Sequence, residues 1–453
     1  MTRRTRVLGL STIFVLAYTS SAFAQTAAGK SPSEVAPDAP PATPTPAAQA
    51  AEPAPAPAPA PADAPPAPPA AVAPPAEVAP PPPPAPGAFA PLKIETPQAT
   101  LKLGLLAQPQ FEANGNSSPA VSGRSYNLYV RRIRLLAGGT LFGKFEYFFD
   151  TDSPNLFKAN AETGAKSQGL IVQDAYATWK AADDYFKIDA GYMLVPGAHN
   201  ALQGAGTLYG LDYFSNSFRH ASAFNSGTDV GRDAGVELRG LVLDNHIEYR
   251  LGLFQGFRRP SVPVVAGGPQ AETVSRNAPR AAGRLQINFL DAETGFFYAG
   301  TYLGKKKVLS VGASYDTQND YHHWAVDGFL DMPVGPGTLT AQVNFAKWNG
   351  GDFIPVQALL PAALPSQTAF MAEAGYNIDA AQLSPIVRYE LRNIKNQTQG
   401  NPDEARYSLG LAYWPYGHNI NVKAFFTRVQ QKADPAKLDG FNDFQLQWQL
   451  YFY

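Results

Sequence analysis

D-F-Q-L-Q-W-Q-L-Y-F-Y, the stretch Asp443–Tyr453, ends the chain. Phe444, Leu446, Trp448, Leu450 and Phe452 share one parity, and Gln445, Gln447, Gln449 and Tyr451 share the other. Successive side chains of a β-strand point to opposite faces, so this period of two separates an apolar surface from a polar one. A tilted strand needs roughly 9–11 residues to cross a bilayer, which this stretch supplies. Two architectures use such a strand. One is the wall of a transmembrane barrel on which the chain stops, and the other is the last strand of a soluble sandwich.

Bulk composition narrows the choice. The formal net charge is −1, so no global field points to nucleic acid or to an anionic lipid surface. The chain has no cysteine, which removes disulfide frameworks and thiolate metal sites. Beyond the N-terminus no apolar run reaches 18 residues, so a membrane would be crossed by strands rather than by a helix. The 21 Tyr and 27 Phe suit the aromatic girdles of a barrel.

The N-terminus reads as an address. Arg3, Arg4 and Arg6 precede an apolar run, Val7–Tyr18, and Ala22-Phe23-Ala24 forms a small-residue cleavage site before Gln25. Residues 1–24 are therefore expected to be a secretory signal peptide. Residues 25–92 form an Ala/Pro-rich segment with almost nothing to bury, expected to be disordered or polyproline II. Its two readings are a periplasmic spacer that contacts peptidoglycan and a tail with no partner. The folded domain is expected over 93–453.

Sixteen strand-like stretches follow, from Thr100–Ala113 to Asn442–Tyr453. Many alternate. Phe145, Tyr147 and Phe149 oppose Lys144, Glu146 and Asp150, and Ile247, Tyr249, Leu251 and Leu253 oppose Glu248 and Arg250. A sandwich could put such charges on its solvent face, so connection lengths must decide. Short turns, as at Gly138-Gly139, Ala181–Asp184 and Pro415–His418, alternate with long loops, as at Asn114–Ser125, Leu194–Arg232 and Gln255–Ala281. Short turns on one rim and long loops on the other are the pattern of an outer-membrane barrel with both termini in the periplasm. One join breaks the rule. Leu290–Lys306 should be a short turn and is long, and is expected to be an extended or bulged hairpin.

Several segments resemble the family of phosphate-selective porins O and P. They are Tyr129–Leu135 (Y-V-R-R-I-R-L), Gly139–Asp150 (G-T-L-F-G-K-F-E-Y-F-F-D), Asp174-Ala175-Tyr176, Gly231–Gly240 (G-R-D-A-G-V-E-L-R-G), Tyr302–Asp316 and Val387–Glu390. The resemblance implies an all-β, 16-stranded antiparallel transmembrane β-barrel in the outer membrane, a homotrimeric channel rather than an enzyme. It also implies that the long loop after the fifth strand folds inward and narrows the pore. It does not reach the Ala/Pro-rich segment. Phosphate selectivity does not carry over. The positions of lumen parity mix Arg132, Arg134, Lys144, Arg239, Arg250, Arg284, Arg388, Arg392, Arg406 and Lys423 with Glu146, Asp150, Asp174, Glu237, Glu248, Glu373 and Glu390.

Arg131, Arg132 and Arg134 form the sharpest cluster. Parity sends Arg132 and Arg134 inward and Arg131 outward with Ile133, toward lipid or another subunit. Basic rings on a pore wall favour anions. The competing reading is that Arg132 and Arg134 pair with Glu146 and Asp150 and stiffen the wall. Arg219 and Arg232, with Asp212 and Asp229 opposite, are candidates for the constriction. Lys305–Lys307 reads as a solvated basic run. The expected pore lining is thus Arg132, Arg134, Lys144, Glu146, Arg219, Arg232, Arg239, Arg250 and Arg388. Six His make no metal-ligand spacing, and no nucleophile–base arrangement, metal site or cofactor motif is present. The leading function is passive diffusion of small hydrophilic solutes and ions, anionic or neutral, with a mild anion preference. The alternatives are a plugged structural or adhesive barrel tethered to the cell wall by the Pro-rich segment, and an outer-membrane hydrolase.

Overall fold

In the computed structural model the described residues are 92–115, 123–160, 163–214, 231–256, 278–318, 321–349, 366–395, 402–433, 436–437 and 440–453. The expected signal peptide and nearly all of the Ala/Pro-rich segment lie outside them, as do Arg219 and Asp229.

The strands in chain order are β1 (Leu92–Glu95), β2 (Ala99–Gly115), β3 (Arg124–Leu141), β4 (Phe145–Asp152), β5 (Ile171–Ala182), β6 (Phe186–Leu194), β7 (Arg232–Val242), β8 (Ile247–Phe254) and β9 (Arg280–Asn288). They continue as β10 (Val308–Gln318), β11 (Tyr321–Val334), β12 (Gly337–Asn349), β13 (Gln367–Ile378), β14 (Leu383–Ile394), β15 (Asp403–Tyr413), β16 (Ile420–Ala433), β17 (Ala436–Lys437) and β18 (Phe441–Phe452). From β2 to β16 each strand pairs antiparallel with the next. β16 then pairs with β18, and β18 with β2, which closes a ring of sixteen. A closed ring leaves no sheet edge, and an unpaired backbone amide in hydrocarbon would cost several kcal/mol.

β1 lies outside the ring. It pairs with the first residues of β2, Leu92 opposite Leu103 and Glu95 opposite Thr100, just past the point where Phe452 of β18 meets Leu105. The entering chain thereby covers ladder positions that β18 is too short to reach.

The side-chain distribution is that of a membrane barrel. On the terminal strand Trp448 is 42% exposed, whereas Gln447 and Gln449 are buried at 1% and 2%. Leu135, Leu251, Leu409 and Leu411 are likewise exposed, and their polar neighbours are inside. The interior is a polar lumen, and two stacked sheets with a dry middle are excluded.

Three departures from the expected pattern matter. First, β3 runs straight through Gly138-Gly139 and turns at Phe142 and Gly143, which carry φ of 51° and 68°. The glycine pair serves close approach instead. A Cβ on Gly139 would meet the Thr100 carbonyl oxygen at 1.8 Å, and one on Gly138 the Tyr453 hydroxyl at 2.0 Å. Lys144 therefore sits exposed in the turn and does not line the pore. Second, the register of β2 and β3 slips between Ala107 and Pro109, whose partners are Ile133 and Val130. One residue, Gln108, thus faces two, Arg131 and Arg132, which is a β-bulge. Third, the long join 290–306 is no extended hairpin. It folds into the lumen, with Glu293, Phe296, Tyr298 and Thr301 all buried.

Candidate functional site

The bulge on β3 decides the centre of the lumen. Two consecutive residues on a regular strand point to opposite faces, but the extra residue of a bulge resets the parity. Tyr129 and Arg131 therefore join Arg132 and Arg134 on the inside, and Arg131 does not face lipid. Arg131 Nε lies 2.8 Å from Asp212 Oδ2, and Arg132 Nη2 lies 2.5 Å from Asp212 Oδ1. Arg132 also donates to the Gln108 side chain opposite the bulge, and its guanidinium stacks 5.3 Å from the Tyr213 ring. Burial disfavours the Asp212 carboxylate, but the two arginines outweigh it and hold the group well below the usual carboxylate range.

Asp212 belongs to the long loop after β6. Its described part, Val195 to Phe214, enters the barrel and carries two short 3-10 turns, His199–Leu202 and Ala205–Thr207. A loop inside a barrel must still satisfy its backbone carbonyls. Here the wall supplies the donors. Arg284 Nη1 reaches the Gly197 carbonyl at 3.0 Å, Gln108 the Ala205 carbonyl at 3.3 Å, and Gln449 the Gly206 carbonyl at 2.8 Å. Lys423 Nζ donates to the carbonyls of Leu208 and Gly210 at 2.6 and 2.9 Å, and Arg388 Nη2 to that of Asp212 at 2.8 Å. The lumen-facing residues of five separate strands thus hold one loop by its main chain.

The second inward segment meets the first. Gly204 donates to the Tyr298 carbonyl and Tyr298 to the Leu202 carbonyl, both at 2.9 Å, forming a parallel bridge between loop and turn. His199 Nε2 lies 2.7 Å from Glu293 Oε2. The turn is anchored to the wall by Arg250, which donates to the carbonyls of Phe296 and Gly295, and by the Tyr298 hydroxyl on Glu248. Lys306, read as part of a solvated run, is half-buried and donates to the Ala292 carbonyl.

The remaining expected residues are mostly struts. Arg134 pairs with Asp152 at 3.0 Å and Asp150 at 3.4 Å, Arg232 with Asp174 at 2.8 Å, and Arg239 with Asp189 at 2.6 Å. Arg250 pairs with Glu248, and Arg388 with Glu373. Glu146 has lumen parity near the turn rim, where it faces Lys180 at 3.2 Å and does not pair with an arginine of β3. Arg219 lies outside the described residues. Among the described residues no group of three His, Asp or Glu is placed to hold a metal ion.

Neutralisation is incomplete around the Leu208–Asp212 part of the loop. Four cations, Arg131, Arg132, Arg388 and Lys423, converge on it against three carboxylates: Asp212, Glu373 and, 3.9 Å from Arg388, Glu390. Sequence parity found three of the four cations but assigned Arg131 to the wrong face. The Pro109 that lacks an N–H opposite Val130 was the available sign of a bulge.

The family model for phosphate-selective porin O and P matches residues 111–344, just over half of the chain. No curated protein sequence matches. Among solved structures, the anion-selective porin of Comamonas acidovorans aligns at 13% identity over 78% of this chain and 100% of its own, with a TM-score of 0.50. OmpF of Salmonella typhi, solved in complex with daunomycin, aligns at 12% identity over 80% and 100%, with a TM-score of 0.51. At such identities the two structures support the barrel fold alone.

Proposed function

Because the chain belongs to the phosphate-selective porin O and P family, whose members are outer-membrane channels and not enzymes, we propose that its channel is a general one with a mild anion preference. The observation that carries this reading is the uneven pairing at the ingoing loop, where Arg131 and Arg132 share one carboxylate and Lys423 donates to two carbonyls. The excess of one positive charge favours anions by the field of the constriction. A continuous run of unpaired arginines, which strong selection of a multiply charged anion would need, is replaced along the wall by Arg–carboxylate pairs. The plugged structural barrel is the weaker reading, since family membership supports conduction. We place the Ala/Pro-rich segment in the periplasm, on the rim of the short turns where β1 enters, within reach of peptidoglycan. We also assign the barrel to a trimer, as the family resemblance implies. In planar bilayers under a salt gradient the purified protein should open stable channels with a reversal potential of anion-preferring sign. A cation-preferring sign would overturn the assignment, and silence after confirmed insertion would return the plugged barrel.

A further inference from the structure

A cavity of about 310 Å³ lies between the ingoing loop, the inward turn and the wall of β3 and β4. That size is within the range of small-molecule sites. Its apolar lining is aromatic: Phe148, Phe297, Tyr298, Tyr451 and Tyr453 face it. Phe148 packs edge-on against Phe297 and Tyr453, with ring centres 5.5 and 5.6 Å apart. Two charged side chains in the same lining are each only half used. Arg232 is 1% exposed and gives Nε and Nη2 to Asp174, while its Nη1 has no partner among the described residues. Asp150 is 1% exposed and accepts from Arg134 at Oδ2, while its Oδ1 has no hydrogen-bond partner among the described residues.

Leaving a buried donor and a buried acceptor unmet is costly, and a charged group more so. Both side chains belong to the lining of one cavity. The formal charges around it balance. Arg134, Arg232 and Lys306 line it, Asp150 lines it too, and Asp152 and Asp174 stand behind as partners of the arginines. A neutral surrounding gives a simple anion or a simple cation no net attraction. It suits a molecule that carries one charge of each sign.

We propose that this cavity is a binding site for a zwitterionic solute with an aromatic side chain, of the amino-acid class. Its carboxylate would take Arg232 Nη1, its ammonium would take Asp150 Oδ1, and its ring would enter the Phe148–Phe297–Tyr453 cluster. This site stands apart from the ion preference of the loop, and its test does not need conduction.

The test is calorimetric titration of the full-length protein in detergent micelles with four probes: phenylalanine, 3-phenylpropionate, phenethylamine and glycine. Phenylalanine should bind at least about tenfold more tightly than each of the others, the equivalent of about 1.4 kcal/mol. Arg232→Gln should erase the advantage of phenylalanine over phenethylamine but keep that over 3-phenylpropionate. Asp150→Asn should do the reverse. Phe297→Leu, which touches no charge, should weaken phenylalanine and leave glycine unchanged. Equal affinity for all four probes, heat from none of them because water alone fills the cavity, or a uniform loss across probes in both charge variants would overturn the proposal.

Discussion

Arg132 on the barrel wall and Asp212 on the ingoing loop form a 2.5 Å ion pair, and the neighbouring Arg131 holds the other oxygen of the same carboxylate at 2.8 Å. Two cations on one anion do two things. They fix the loop against β3, and they leave a net positive charge beside the path.

The charge can be read out directly. A unit charge about 8 Å from a passing ion in a water-filled lumen contributes about 0.5 kcal/mol, roughly a twofold change in occupancy. Arg131→Gln with Arg132→Gln removes two positive charges from a local excess of one, so the reversal potential should cross to cation preference. Asp212→Asn should shift it about as far the other way as one charge allows. Identical reversal potentials in all three proteins would mean that the selective element lies elsewhere.

Lys423 reports on the loop rather than on the ion. Its ammonium donates to the carbonyls of Leu208 and Gly210. Lys423→Met leaves both acceptors unmet, at about 1–3 kcal/mol for a buried group. The barrel ladder is untouched, so heat-modifiable migration on a gel should stay as in the parent. The open-channel current should become noisier, because the loop samples more than one position. A trace as quiet as the parent's would show that the remaining contacts of the loop suffice.

Much of this was legible in the sequence, and the failures have physical causes. Strict alternation on β18, with Trp448 out and Gln447 and Gln449 in, shows which face meets lipid, and the same parity found Arg132, Arg134 and Arg388. Parity fails at a bulge, so Arg131 was assigned to the wrong face. Gly138-Gly139 resembled a turn because glycine marks both turns and close backbone contact, and here contact won. Lys144 fell with that reading. The inward turn was visible only as excess length at 290–306. Its burial depends on Arg250, Glu248 and His199, which are distant in sequence and give no local signal. Parity also cannot tell a selective arginine from a strut, because lumen arginines find carboxylates on the same strand, as Arg406 does with Glu404, on a neighbouring strand, as Arg239 does with Asp189, or on a loop, as Arg132 does with Asp212.

The contact between loop and turn should fail in acid. Burial raises the pKa of Glu293, but the His199 ring and the Tyr302 hydroxyl outweigh it and hold the group below the ordinary glutamate value. A group whose folded pKa is depressed contributes stability at pH values above its unfolded pKa. That contribution is lost as pH falls through the folded value. The His199–Glu293 contact should therefore be intact from pH 7 to about pH 5 and weaken only below about pH 4, given an ordinary Glu pKa of about 4.3. Channel noise recorded against pH should rise in that acid window, and Glu293→Gln should show the raised noise already at neutral pH with no further acid step. An acid step that survives in Glu293→Gln would assign it to another carboxylate.

The chain contains no cysteine, so its orientation can be tested with single introduced thiols and no background. Lys144 lies exposed in the turn between β3 and β4, on the same rim as the C-terminus, because Ala99 pairs with Leu141 and Leu105 with both Leu135 and Phe452. Thr163 lies exposed in the long connection between β4 and β5, on the opposite rim. With short turns periplasmic, a membrane-impermeant maleimide should label Thr163→Cys on intact cells and leave Lys144→Cys unlabelled. Opening the outer membrane should make Lys144→Cys react as well. Both sites are surface turns away from the ladder, so folding should be unaffected, which band migration of the heated and unheated protein can confirm. Labelling of Lys144→Cys alone on intact cells would invert the barrel and move the entry strand β1, with the Ala/Pro-rich segment before it, to the cell exterior.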